Sequence, residues 1–94
     1  MNIEHVTKAL ATMRDFDLPS TALVAAWIWP LPLNVSTTQD YDLRERRTGV
    51  LLCQLEAMGL VKSHPPPSTS VNGWNLWSLT SLGSAIERAQ AAHG

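Results

Sequence analysis

Apolar positions recur along the chain in four helix-like stripes and two short alternating runs, in the order helix, helix, helix, strand, strand, helix. Ile3, Val6, Leu10 and Met13 stand three and four apart, which predicts a helix over 2–14 with Asn2 as its N-cap. Asp15, Asp17 and Pro19 then make a turn. Ser20 can cap a second helix over 20–29, in which Leu23, Ala26 and Trp27 are expected to face the first; Trp27 and Trp29 read as core and core-edge residues. Pro30 ends it, having no N–H to donate, and a proline-rich connection leads to Asp40. The third helix spans 42–58 with Thr48, Leu51, Leu52, Leu55 and Met58 inward, and Gly59 supplies its left-handed stop. A hairpin over 60–79 follows, its strands at Leu60–Ser63 and Trp74–Leu79 joined by a proline-rich loop with an Asn72-Gly73 turn. Trp77 and Leu79 share its inward face. Thr80 or Ser81 caps a last helix over 81–92, with Leu82, Ala85, Ile86 and Ala89 on one stripe. The fold class is α+β.

Composition narrows the function classes. The 94 residues are 45% apolar and 16% charged, which suits a single folded domain. A net charge of −1 excludes a general polycation. Charge is uneven, however: −2 over residues 1–40, +1 over 41–62 and zero over 63–94, so the positive charge gathers on the third helix and its exit. Cys53 stands alone and cannot close an internal disulfide. There is no basic-then-apolar leader, and the longest apolar stretch, Ala22–Leu33, is broken by prolines and too short to span a bilayer. A cytoplasmic chain with no membrane partner is expected. The histidines and Cys53 lack metal-ligand spacing, no glycine-rich phosphate loop is present, and Asp15 and Asp17 suit a turn. Neither a cofactor nor catalysis is expected.

Two phrases carry a family likeness: Leu55-Glu-Ala-Met-Gly-Leu-Val61 and Trp77-Ser-Leu-Thr-Ser-Leu-Gly83. They resemble the winged helix-turn-helix domains of bacterial MarR-like and PadR-like regulators, over roughly residues 20–89. There a helix closes on glycine, Leu-Val opens a hairpin, and Leu-Thr leads into a capped helix. The resemblance implies three helices, a two-stranded wing and a C-terminal helix, with the third helix in the DNA major groove and the wing on phosphates. A transcriptional regulator acting on duplex DNA as a homodimer is the function it implies.

With Thr48, Leu51, Leu55 and Met58 inward, the outward centre of the third helix falls on Arg46, Gly49, Val50, Cys53 and Ala57, flanked by Glu45, Arg47, Gln54 and Glu56. Arginine reads guanine edges and binds phosphate, and glutamine reads adenine. Arg44, Arg46, Arg47, Gln54 and Lys62 are therefore DNA candidates, joined by Ser36, Thr37, Thr38 and Gln39 as phosphate contacts. The plainer reading makes Arg44, Arg46 and Arg47 a solvated turn paired with Asp42 and Glu45. The wing has only His64 as a further cation. A rival function uses the same frame as a protein-binding module, such as a small phage or mobile-element inhibitor or adaptor. Its surface would comprise Val71, Trp74 and Leu76 on the hairpin with Val50 and Cys53 on the third helix. Equally, Trp74 could simply cover the hairpin.

Overall fold

The computed structural model describes residues 2–32, 34, 36–66 and 75–93, with the backbone alone for His93. Four helices and one antiparallel hairpin appear among them, an α+β architecture in the expected order: α1 Ile3–Asp15, α2 Thr21–Ile28, α3 Thr38–Ala57, β1 Val61–His64, β2 Leu76–Leu79 and α4 Ser81–His93. Local chemistry sets the helix ends. The Asn2 side chain accepts the Glu4 N–H at 2.8 Å, and Ser20 Oγ accepts the Leu23 N–H at 3.2 Å. At the end of α3 the Leu60 N–H returns to the Leu55 carbonyl and the Gly59 N–H to Glu56, both at 3.0 Å, with Gly59 at φ +80°. That is a Schellman closure, and it turns the chain directly into β1. Thr80 Oγ1 accepts the Gly83 N–H at 3.0 Å and caps α4.

The third helix begins four residues before the expected position 42. Thr37 and Asp40 form a capping box: Thr37 Oγ1 accepts the Asp40 N–H at 3.2 Å and the Asp40 carboxylate accepts the Thr37 N–H at 2.8 Å. Thr38 and Gln39 thereby move from the connection into the first turn of α3. The second strand begins at Leu76, two residues later than expected.

Leu10, Val24, Leu52, Leu55 and Val61 are fully buried where α1, α2, α3 and the hairpin meet, and each such side chain contributes about 1.5–3 kcal/mol relative to exposure. Trp77 joins them, as expected, and its indole N–H donates to Thr21 Oγ1 at 2.8 Å. The hairpin register pairs Val61 with Leu79 and His64 with Leu76. A third extended piece lies along the free edge of β2: Ser20 bridges Leu76, the Trp77 N–H donates to the Pro19 carbonyl at 2.9 Å, and the Thr21 N–H donates to the Asn75 carbonyl at 3.2 Å. The start of α2 is thus tied to the sheet.

Helix rotation departs from expectation in two places. In α2 the buried residues are Thr21, Val24, Ala25 and Ile28, while Ala26 is exposed and Trp27 is 56% exposed. The helix is apolar all round, so its pattern does not choose a face; its tether to β2 through Thr21 does. In α4 the inward residues are Gly83 and Glu87 with Ile86 beside them, and Leu82, Ala85 and Ala89 point out. Glycine at 83 lets α4 approach the Leu60 carbonyl, which a Cβ there would strike. Glu87 is buried because Arg14 of α1 reaches it. At the other helix ends, Ile3 and Met58 are exposed, since each lies beyond the packed part of its helix.

Candidate nucleic-acid interface

Helix α3 has 20 residues and is about 30 Å long, and its inward row holds it down along its length. Thr48, Leu51, Leu52 and Leu55 are buried, and Thr48 Oγ1 donates back to the Arg44 carbonyl at 2.8 Å. The opposite side carries the expected outward residues together. Arg46, Val50, Cys53, Gln54 and Ala57 are exposed around the half-buried Gly49 and line a shallow groove.

The arginines divide. Arg46 and Arg47 are exposed and have no carboxylate partner among the described residues. The Arg47 guanidinium lies 5.5 Å from the centre of the Trp29 ring, which holds its stem without neutralising its charge. Arg44 pairs with Glu45, as the plainer reading expects, but the pair is enclosed rather than solvated. Its side chain is only 10% exposed, it donates to Glu45 Oε1 at 3.2 Å and to the Trp29 carbonyl at 3.4 Å, and it stacks 4.9 Å from the Tyr41 ring. Glu45 is buried with it, at the edge of the groove that Arg46 and Gly49 line. Arg44 thus joins the end of α2 to α3 and offers little to a partner.

The segment before α3 is likewise occupied. Ser36 Oγ donates to the Pro32 carbonyl, and Thr37 is the cap. Thr38 and Gln39 are exposed in the first turn, next to Asp40. Beyond α3, Lys62 is exposed on β1. Glu56 pins β1 to α3: its carboxylate accepts both the N–H and the hydroxyl of Ser63 at 2.7 Å, and these bonds, the hydroxyl foremost, hold its pKa below the ordinary glutamate value.

Of the hairpin residues named for a protein surface, Leu76 is half-buried beside Ser20, and Val71 and Trp74 lie outside the described residues. Packing adds one residue that the sequence did not single out. His5 of α1 meets Trp29 edge-on at 4.6 Å between ring centres, and with Trp29, Arg47, Val50 and Gln54 it lines a second shallow groove. Nothing in the chain pattern signals this, since His5 reaches α3 only because α1 packs across α2. Far from α3 in sequence, Phe16 and Trp27 pair at 5.8 Å and are exposed with Leu18, whose φ of 49° is unusual for a side-chain-bearing residue.

Among the described residues no helix is long and apolar enough to cross a membrane, and no three His, Cys, Asp or Glu side chains gather as a metal site. No family model, curated protein or solved structure matches the chain.

Proposed function

We propose that the chain is a winged-helix DNA-binding protein, a small cytoplasmic transcriptional regulator that pairs as a homodimer on duplex DNA. The observation that carries this reading is the pair Arg46 and Arg47, exposed on the outward side of a firmly packed α3 and without a carboxylate partner among the described residues. Gln54 and His5 share a groove with Arg47, and Lys62 is a further exposed cation, on β1. In this arrangement α3 enters the major groove, Arg46 and Arg47 contact phosphates or guanine edges, and Gln54 reads a base further along. Arg44 has a positioning role, setting α3 against α2. Arg46, Arg47 and Lys62 alone give a weak single-chain contact, because non-specific affinity grows with the number of phosphates neutralised. Pairing doubles them. Anisotropy of a labelled duplex titrated at several salt concentrations tests the reading. Arg46→Ala with Arg47→Ala should lower the salt slope by about 2 per chain. Absence of binding at low salt would sink it.

A second reading rests on a different observation. From Gly49 to Ala57 the outward face of α3 is small and apolar, with Val50 60% exposed. Such a strip suits a protein surface, and a module of that kind would keep the frame and bind no DNA. Val50→Asp separates the two: under this reading it abolishes partner capture, whereas Arg46→Ala matters little.

A further inference from the structure

The outer side of α1 borders a groove that neither reading of α3 uses. Lys8, Ala11, Thr12 and Asp15 form one wall, and Phe16 and Trp27 form the other. The four α1 positions stand at i, i+3, i+4 and i+7, which is a single helical stripe. Its apolar part is the half-buried Ala11 with the exposed rings of Phe16 and Trp27, whose centres are 5.8 Å apart. Tryptophan is among the side chains most enriched where protein surfaces bind. The groove holds about 210 Å³, below the roughly 300–1,000 Å³ of small-molecule pockets, so it suits the side chains of a protein surface. None of its residues lines the grooves on α3.

The ends of the stripe are oppositely charged. Lys8 marks one end. Its neighbour Glu4, 3.5 Å away and 70% exposed, makes a surface pair that contributes little and leaves Lys8 free to re-pair. Asp15 marks the other end. Arg14 is shared between Asp15 and Glu87, so those three side chains together keep one net negative charge. Lys8 and Asp15 are about 10 Å apart along the helix axis. The stripe is symmetric about the point between Ala11 and Thr12, and half a turn about that point exchanges Lys8 with Asp15. A row of this kind is complementary to a copy of itself, as a twofold contact requires.

We propose that this stripe is the homodimer interface: a second copy packs its α1 antiparallel to the first, with Lys8 of each chain against Asp15 of the other. Ala11 lies at the centre, where a small side chain lets the helices approach closely, and Phe16 and Trp27 seal the flanks. This interface rests on the pairing in the DNA-binding reading above and gives it a surface. Because the stripe and the α3 grooves share no residue, pairing and a contact through α3 do not compete for side chains.

Sedimentation equilibrium of the full chain without DNA tests the interface, and a concentration-dependent monomer–dimer equilibrium is expected. Lys8→Glu sets a glutamate against Asp15 twice per dimer, and Asp15→Lys sets a lysine against Lys8 twice. Each variant alone should weaken pairing by about tenfold or more. Mixed in equal amounts, the two should form a heterodimer, because both contacts are then oppositely charged again. Trp27→Ala changes an exposed position and no charge, and it should also weaken pairing by about tenfold. Thermal melts separate loss of pairing from loss of fold, and Lys8→Glu with Trp27→Ala keeps the test decisive should Asp15→Lys not fold. Dimers undiminished by Lys8→Glu and Trp27→Ala, or a mixture of folded charge variants that stays monomeric, overturn the interface. A chain that is monomeric at every concentration overturns it too and makes a different protein the occupant. Pairing restored in the mixture, with no duplex binding at low salt, supports the interface and sinks the DNA reading alone.

Discussion

The two long faces of α3 make opposite use of the same helix. On one, Thr48, Leu52 and Leu55 are fully enclosed by α2, the hairpin and α1. On the other, Arg46, Val50, Cys53 and Gln54 are exposed along a shallow groove. The contrast separates fold from function along a single element. The inward row answers to packing density, so its side chains are replaceable only by near-equal volumes. The outward row is released from packing, and its basic beginning and apolar end can be tuned to a partner.

Substitutions on the two faces should therefore differ in kind. Leu52→Ala, at the middle of the inward row, is expected to cost about 2–5 kcal/mol, read as a lower denaturant midpoint; a loss below 1 kcal/mol would mean that the inward row does not hold α3. Gly83→Ala probes the point where α4 closes over the exit of α3. With the Leu60 backbone in the way of a Cβ, it should destabilise by about 1–3 kcal/mol. The same change at Gly49, where a Cβ meets nothing within 4 Å, should stabilise the chain by about 0.5–1 kcal/mol, since glycine is the poorer helix residue. Opposite signs at the two glycines would confirm the division, and equal signs would break it. The smallest effect concerns acid. The depressed pKa of Glu56 means that its contribution is fully present above the unfolded value of about 4.3 and is lost as pH falls through the lower folded value. Glu56→Gln should flatten that part of the pH–stability curve and leave the rest unaltered.

Much of this was legible from residues that act locally. Asn2, Ser20 and Gly59 end their helices through bonds spanning only a few positions, so their roles follow from residue type and place. The inward and outward rows of α3 were likewise readable, because polar and apolar residues alternate there with helical period. Thr37 and Asp40 also form a local motif, but the apolar stripe that placed the start of α3 at 42 does not register their Thr-x-x-Asp capping box. In the candidate interface, Arg46, Arg47 and Gln54 stand where the helical wheel placed them. Arg44 left it by turning to Glu45, the Trp29 carbonyl and the Tyr41 ring.

The sequence by itself determined the kinds of element, their order, most of their ends and the outward face of α3, since these depend on interactions within a few residues. Only the tertiary structure decided the rotation of α2 and α4, the bridge from Ser20 to β2, the burial of Glu87 against Arg14, and the arrival of His5 beside Arg47. In α2, apolar residues outnumber the inward positions, so periodicity leaves the face open until Thr21 meets β2 and Trp77. In α4, the decisive contact is a backbone approach through Gly83, for which hydrophobicity carries no signal. Those choices belong to pairs far apart in the chain, and only the folded contacts bring them together.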